Sequence, residues 1–382
     1  MAARAAIRSR EGRHRATGGE DREGIRAPLD PGRGNPGLAE PRRAGQTRGA
    51  RRLTETPYSG EAIAAFAPAK INLYLHIVGR RADGFHLLDS LVAFADIGDA
   101  VSAAPADTLS LTVSGPEAAS LAGVGDDNLV LRAARAFAAH HGITAGATLR
   151  LTKNLPVASG IGGGSSDAAA TLRALAVLWR RPLDDAAMDI AAALGADIPA
   201  CLDGRPVWVS GIGERLDPLP GLPALGIVLA NPRRELATAA VFRAREGDFT
   251  TDQFARTTPR NAVGLFGLLR QCRNDLTEAA EGLMPEIGEM RDRLAALPGA
   301  YLARMSGSGA TCFALFADRG AAHLAAIALA AARPDWWVRA GELLSLSRAG
   351  RTDLDVRGRK LHRRAGARVG DGPAGAAREK RG

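Results

Sequence analysis

The segment Leu155–Asp167 reads LPVASGIGGGSSD and combines the residue types that bind phosphate. Glycine lets the backbone approach a ligand closely and adopt positive φ. The residues that follow, up to Trp179, are mostly good helix formers, and the start of a helix offers unpaired N–H groups and a partial positive charge. The segment therefore predicts a phosphate-binding loop at a helix N-terminus.

Three other interpretations of this glycine loop are less consistent with its sequence. A flexible Gly/Ser linker is not expected to lead directly into a helix that is apolar on all sides. The loop is not a Walker A motif, because no Gly-Lys-Ser/Thr ends it. It also departs from the dinucleotide-binding pattern, since Ser165 stands where a third glycine or alanine is required. The loop alone indicates phosphate and does not name the compound.

Two charged residues elsewhere in the chain are candidates for phosphoryl-transfer chemistry. Lys70 follows Pro68-Ala69 at the start of an apolar strand, and is either a snorkelling surface residue or a charge held at a site. Asp197 lies between Gly195 and Pro199, and is either an ordinary turn residue or a carboxylate beside a substrate hydroxyl. The second role requires a cation that keeps the carboxylate ionised. The pattern leaves both pairs of alternatives open.

Other polar residues have weaker signals. His86 is a lone histidine, Asn128 is typical of a helix cap, and Lys153 lies at the end of a predicted strand. A second glycine loop, Met305–Ala310, is either a hairpin turn or the second wall of a nucleotide site. Two glycine loops in separate domains favour a ligand cleft between them.

The charge of the chain is concentrated at its ends. The 382 residues carry a formal net charge of +9, of which residues 1–60 contribute +6 and residues 346–382 contribute +7, leaving −4 for the part between them. Both ends are rich in Arg, Gly, Ala and Pro and are predicted to be mostly disordered. An RNA-binding protein that uses these basic ends is an alternative, but the acidic central part argues against it.

Composition also bears on location. There is no apolar run long enough to cross a bilayer, and no apolar segment typical of a secretory signal near Met1. Cys201, Cys272 and Cys312 lack metal-ligand spacing, and they are expected to be reduced thiols in the core. We therefore expect a cytoplasmic protein without a membrane partner.

Hydrophobic patterning predicts an α+β fold, because strands and helices do not alternate strictly. A strand over residues 63–68 is predicted to reach a turn at Pro68, and Ile71–Val78 is predicted to be a strand buried on one face only. Further predicted strands lie at 87–95, 108–113, 148–152, 206–210, 226–230, 311–316 and 336–340. Predicted helices lie at 127–137, 167–179, 185–194, 237–245, 276–281, 286–297 and 321–332. The composition shift at Asp217–Pro223 predicts a domain boundary.

Five motifs together resemble those of a known family. They are Pro68-Ala-Lys-Ile-Asn-Leu73, Arg80-Arg-Ala-Asp-Gly-Phe-His86, Leu155–Asp167, Leu194-Gly-Ala-Asp-Ile-Pro199 and Met305-Ser-Gly-Ser-Gly309. Their order and spacing are similar to those of GHMP-type small-molecule kinases, over roughly residues 61–345. The first two motifs resemble the branch that acts on a cytidine diphosphate derivative of methylerythritol in non-mevalonate isoprenoid synthesis. Homoserine-type and mevalonate-type GHMP kinases, which remain the alternatives, are not expected to carry them.

The resemblance implies a role for particular residues. Lys70 and Asp197 match the catalytic pair. The residues that match the ATP-binding set are Pro156, Val157, Ala158, Ser159, Gly160, Ile161, Gly162, Gly163, Gly164, Ser165, Ser166, Asn128 and Lys153. The residues that match the substrate-binding set are Asn72, Phe85, His86, Thr238 and Phe242, with the two phenylalanine rings enclosing the cytosine and His86 on its edge. Phe85 replaces a common tyrosine, but stacking needs only the ring face.

The resemblance also implies the architecture and the ligands. It implies a ribosomal-protein-S5-like N-terminal domain over residues 61–217 and a ferredoxin-like C-terminal domain over residues 218–345. ATP and Mg²⁺ are the implied cofactors, and the implied reaction is transfer of the γ-phosphoryl group to the 2-hydroxyl of the methylerythritol unit. No nucleic-acid partner is expected, and the protein is expected to be a monomer or a weak homodimer. The metal ligands are not identified by the sequence.

Overall fold

The structure, a computed structural model, describes residues 61–251 and 256–345. The predictions made for residues 1–60 and 346–382 lie outside the described residues. The first sheet has strands β1 (Ile63–Arg80), β2 (His86–Ala106), β3 (Ser110–Ser114), β4 (Gly146–Thr152), β5 (Val207–Gly211) and β6 (Arg215–Pro218). Its order is β3-β4-β2-β5-β6, with β1 paired to β2, and β3 and β4 are parallel while the other pairs are antiparallel.

The second sheet is antiparallel and has four strands. They are β7 (Gly226–Asn231), β8 (Leu302–Met305), β9 (Cys312–Phe316) and β10 (Trp337–Glu342), in the order β10-β7-β9-β8. If β7 to β10 are numbered 1 to 4, this order is 4-1-3-2, the ferredoxin-like arrangement that the resemblance implied. The first sheet ends at Pro218 and the second begins at Gly226, so the composition shift lies between the two sheets; the division into domains stays a prediction.

Helices pack against both sheets. They are α1 (Leu129–His140), α2 (Gly163–Leu178), α3 (Asp185–Leu194), α4 (Ile198–Asp203), α5 (Thr238–Ala244), α6 (Ala262–Arg270), α7 (Thr277–Leu283), α8 (Glu286–Ala295) and α9 (Arg319–Ala332). One core lies between α1–α4 and the first sheet, and another lies between the second sheet and α5 and α7–α9. A third core joins the sheets, where Ile71 and Leu73 meet Ile227 and Leu229. The α+β class is confirmed.

Two predictions for β1 are wrong. The strand passes through Pro68 without a turn, and the proline is accommodated by a register shift between Pro68 and Ala69. The strand is also buried on both faces, since Asn72, Tyr74 and His76 are at most 5% exposed, and residues of the second half of the chain contact Asn72 and His76. The backbone N–H of Arg273, for example, donates to His76 Nε2 at 3.1 Å.

Two helices and two strands were not anticipated, namely α4, α6, β6 and β8. Helix α4 begins with Ile198-Pro199, where proline is favoured in the first turn. Strand β8 is only four residues long and pairs with β9 directly before the second glycine loop. None of the helices in the described ranges is long and apolar enough to cross a bilayer.

Candidate active site

The first glycine loop leads directly into α2, as predicted. Gly160 and Gly162 adopt positive φ of 72° and 63°, which glycine tolerates without a steric cost. Ala158 also has positive φ, at 50°, a backbone conformation that residues with a side chain rarely adopt. A Cβ added to Gly164 would meet no atom within 4 Å, so the start of α2 is open to a ligand. The loop therefore presents a helix N-terminus with little side chain in front of it.

The second glycine loop packs against the first. Ser306 Oγ donates to the carbonyl oxygen of Gly160 at 3.1 Å, and the N–H of Thr311 donates to the carbonyl oxygen of Ser159 at 3.1 Å. A Cβ on Gly160 would lie 2.5 Å from the Ser306 carbonyl oxygen, so only glycine fits there. Asn274 Nδ2 supports the second loop by donating to the carbonyl oxygens of Met305 and Gly307. The second loop is the turn of the β8–β9 hairpin, and Gly307 and Ser308 line the cleft, so its role as a wall of a nucleotide site stays a prediction.

Lys70 and Asp197 meet beside the first loop. Lys70 Nζ lies 2.7 Å from Asp197 Oδ1, although the two residues are 127 positions apart in the chain. The lysine side chain is 8% exposed, whereas that of the aspartate is 50% exposed. The N–H of Lys70 donates to the carbonyl oxygen of Ile161, and a Cβ on Gly162 would lie 3.0 Å from Lys70 Cβ. The lysine is thus held against the loop while the carboxylate faces the open cleft.

Lys153 and Asn128 lie at the other end of the loop. Lys153 is buried and its Nζ lies 2.5 Å from Asp99 Oδ2 and 2.8 Å from Asp167 Oδ2. Two neighbouring carboxylates raise the pKa of Lys153 despite a burial that acts in the opposite direction. Asn128 caps α1, with its Oδ1 accepting from the N–H of Val130 at 2.9 Å. Both residues line the cleft, and their role in ATP binding stays a prediction.

Of the five residues matched to substrate binding, Asn72, Thr238 and Phe242 line the cleft, whereas Phe85 and His86 do not. Asn72 Nδ2 donates to Ser90 Oγ at 2.8 Å, and its N–H donates to Ser306 Oγ at 3.1 Å. The rings of His86 and Phe242 lie 5.2 Å apart between centroids. Phe85 belongs to the β1–β2 turn and is 58% exposed, which leaves its ring free to meet a ligand.

His86 and Thr238 are two further polar residues matched to substrate binding. Burial, and then Arg80 and Arg245, lower the pKa of His86, so the imidazole is neutral at pH 7 and offers one donor and one acceptor. Thr238 Oγ1 lies 2.9 Å from Ser308 Oγ on the second glycine loop. The neutral imidazole of His86 thus lies next to the Phe242 ring, and Phe242 and Thr238 line the cleft.

The cleft is a single cavity of about 430 Å³. The matched residues that line it are Lys70, Asn72, Asn128, Lys153, Pro156, Val157, Ala158, Ser159, Gly160, Gly162, Gly163, Gly164, Ser165, Asp197, Thr238 and Phe242. Four matched residues do not line it, namely Phe85, His86, Ile161 and Ser166. Ile161 is buried in the core between the sheets, and Ser166 Oγ donates to the carbonyl oxygen of Pro68 at 2.6 Å.

Several residues of the cleft were missed by the sequence analysis. Ser90 positions Asn72, Ser308 lines the cavity, and Asp99 and Asp167 bind Lys153. Asp167 directly follows the two serines of the loop, and its place in the first turns of a helix was the signal available for it. Asp99 had no comparable signal, since its partners lie more than 50 positions away along the chain.

Known families match both halves of the described chain. The model of the GHMP kinase N-terminal domain matches residues 128–205, which include the first glycine loop and Asp197. The model of the GHMP kinase C-terminal domain matches residues 258–334, which include the second glycine loop. The fold and the cleft are thus those of a GHMP kinase.

Individual relatives identify one family within the GHMP kinases. A 4-diphosphocytidyl-2-C-methyl-D-erythritol kinase from Cereibacter sphaeroides is 54% identical over 72% of this chain and 96% of its own length. The enzyme of that name from Rhodospirillum rubrum is 48% identical over 75% of this chain and 94% of its own length. The chain therefore belongs to the 4-diphosphocytidyl-2-C-methyl-D-erythritol kinase family of the GHMP kinases, and it is an ATP-dependent small-molecule kinase.

Solved structures of GHMP kinases have a fold similar to that of this chain. A crystal structure of a 4-(cytidine 5'-diphospho)-2C-methyl-D-erythritol kinase superposes with a TM-score of 0.62 at 36% identity, over 73% of this chain and 98% of that one. Homoserine kinase from Cytophaga hutchinsonii superposes with a TM-score of 0.57 at 19% identity, over 75% of this chain and 96% of that one. At that identity the second likeness shows the shared fold alone.

Proposed function

We propose that this kinase transfers the γ-phosphoryl group of ATP to the 2-hydroxyl of 4-diphosphocytidyl-2-C-methyl-D-erythritol, in non-mevalonate isoprenoid synthesis. The observation that carries the proposal is the 2.7 Å contact between Lys70 and the half-exposed Asp197, beside a glycine loop at a helix start. The relatives that are about half identical to this chain carry the name of that reaction.

Asp197 is the proposed general base. An alcohol is a weak nucleophile at neutral pH, and a carboxylate within hydrogen-bond reach accepts its proton as the bond to phosphorus forms. Lys70, whose Nζ lies 2.7 Å from Asp197 Oδ1, holds the carboxylate in place and orients the hydroxyl. Alignment and electrostatic stabilisation supply most of the rate in phosphoryl transfer, so no covalent phosphoenzyme is expected.

The glycine loop is the proposed phosphate site, with the N–H groups at the start of α2 directed to the phosphate oxygens. Asn128 and Lys153 lie beside the proposed adenine position. The described residues contain no group of three or more His, Cys, Asp or Glu that forms a metal cage. Mg²⁺ usually binds through phosphates, water and one or two carboxylates, so it would be held mainly by the ATP phosphates beside the glycine loop. When bound, the ion offsets the negative charge of the phosphates.

Phe85, Phe242, His86, Asn72 and Thr238 form the proposed acceptor site. A neutral imidazole offers both a donor and an acceptor, which suits the edge of cytosine. The two phenylalanine rings offer flat apolar faces for stacking. We further propose that the enzyme is cytoplasmic, acts as a monomer or weak homodimer, and has no nucleic-acid partner.

One assay tests the acceptor directly. Purified enzyme with Mg-ATP is offered 4-diphosphocytidyl-2-C-methyl-D-erythritol, its uridine analogue, homoserine and mevalonate, and ADP formation is measured. We expect turnover with the cytidine compound, and Phe242→Ala is expected to raise its KM while the KM for ATP is unchanged. Preference for homoserine or mevalonate would overturn the proposed substrate.

A further inference from the structure

Three buried charged residues lie directly beneath the first glycine loop. Asp99 at the centre of the first sheet is fully buried, Lys153 is 2% exposed and Asp167 is in the first turns of α2. Lys153 Nζ contacts Asp99 Oδ2 and Asp167 Oδ2 at 2.5 and 2.8 Å. We call these residues the Asp99–Lys153–Asp167 cluster.

The cluster joins the two ends of the loop. Asp99 Oδ1 accepts from the N–H groups of Asn154 and Leu155, at 2.5 and 2.9 Å, where the loop begins. At the other end, a Cβ on Gly163 would lie 3.0 Å from Lys153 Nζ and 3.8 Å from Asp99 Oδ2. The cluster is therefore in contact with the backbone that forms the phosphate site.

The cluster has two carboxyl groups and one ammonium group. Asp167 Oδ2 shares Lys153 with Asp99, whereas Asp167 Oδ1 is buried and has no hydrogen-bond partner among the described residues. An ionised carboxylate in that position is costly, because a buried charge requires full pairing. Burial, and then the neighbouring Asp99, raise the pKa of Asp167 to about 7, although Lys153 acts to lower it.

We propose that Asp167 is a positioning residue whose protonation state sets the affinity of the glycine loop for nucleotide phosphates. Phosphate oxygens at the start of α2 place further negative charge above the cluster. A negative charge nearby favours the neutral form of a carboxyl group, so nucleotide binding takes up a proton at Asp167. This inference rests on the proposed location of the ATP phosphates.

Other charged groups near α2 have partners of their own. Lys70 of β1 binds Asp197 before α4, and Arg132 and Arg135 of α1 bind Asp127 and Asp126. Arg173 of α2 donates to the carbonyl oxygens of Phe66 and Cys201. The Cys201 thiol accepts from Ser166 Oγ at 3.4 Å, and burial raises its pKa to about 11, so it stays neutral. Asp167 is therefore the member of this region expected to titrate near pH 7.

The test is a comparison of Asp167→Asn with the unchanged enzyme by calorimetric titration with ADP and Mg²⁺ between pH 6 and 8.5. The ratio of the two Kd values cancels the titration of the nucleotide itself. We expect similar Kd values at pH 6, and roughly five- to tenfold tighter binding by the variant at pH 8.5, the scale of a unit charge nearby at an effective dielectric of about 20. In buffers of different ionisation enthalpy, the unchanged enzyme is expected to take up more protons than the variant at pH 7.5.

Controls separate the possible outcomes. Asp292→Asn removes a charge from the exposed surface of α8 and is expected to leave the Kd profile unchanged. Asp99→Asn also leaves the cluster with one carboxyl group and one ammonium group, and it provides a second variant if Asp167→Asn does not fold. The inference would be overturned if the ratio of the two Kd values did not change with pH, or if Asp167→Asn bound ADP more weakly at every pH. Either result, with ATP turnover by the unchanged enzyme still measurable, would leave the proposed function standing. Absence of ADP binding by the unchanged enzyme would instead overturn the proposed phosphate site.

Discussion

The molecule contains two lysine–aspartate groups beside the same glycine loop, and they differ in exposure rather than in contact distance. Lys70 and Asp197 are 2.7 Å apart, and the carboxylate is 50% exposed. Lys153 lies 2.5 and 2.8 Å from Asp99 and Asp167, and none of these three side chains is more than 4% exposed. The same pair of residue types thus occurs once at the open cleft and once beneath it.

This difference in exposure fits two different proposed roles, catalysis for the exposed group and support of the loop for the buried one. An exposed carboxylate can approach a substrate hydroxyl and exchange a proton with it. A buried carboxylate cannot meet the acceptor, but it holds the backbone amides that shape the loop and contributes charge to the site. Exposure, rather than the presence of a lysine and an aspartate, therefore indicates which group takes part in the reaction.

The largest expected effect is on catalysis at the exposed group. Asp197→Asn keeps the shape of the side chain but removes the proposed base, so kcat is expected to fall roughly 10²- to 10⁴-fold. ADP affinity and the melting temperature are expected to change little, since a half-exposed ion pair contributes about 0–1 kcal/mol. Steady-state kinetics, calorimetry and thermal unfolding measure the three quantities. Asp203→Asn, at the end of the same short helix, is the matched control, and a near-normal kcat for Asp197→Asn would remove this residue from the role of base.

The second effect is on stability at the buried group. Lys153→Met leaves Asp99 and Asp167 without their cation, and breaking a buried pair in this way typically costs about 3–5 kcal/mol of unfolding free energy. Lys70→Met is the matched control, because Asp197 remains hydrated and the expected cost is about 1 kcal/mol. Urea denaturation measures both. Equal losses for the two variants would show that burial does not distinguish the groups.

The two groups also differ in how far the sequence predicted them. The glycine loop, the α+β class and most helices were anticipated, because glycine spacing and apolar periodicity are local signals. Lys70 and Asp197 were paired through resemblance, since their residue types alone left each role open. The coverage of β1 on both faces and the contact between Asp99 and Lys153 arise from tertiary packing. No periodicity within a segment encodes such contacts, which explains why these features were missed.

The smallest expected effect is a change in the pH dependence of stability. The pKa of Asp167 is raised from 3.8 to about 7 in the folded protein, so the folded state binds this proton more tightly than the unfolded chain does. Stability attributed to Asp167 is therefore full below about pH 4, falls as the pH rises towards 7, and levels off above it. The unfolding free energy of Asp167→Asn, relative to that of the unchanged enzyme, is expected to grow as the pH rises across this window. Urea denaturation at pH 5, 6, 7 and 8 measures it, and parallel stability curves for the unchanged enzyme and Asp167→Asn would mean that the buried cluster carries no excess negative charge.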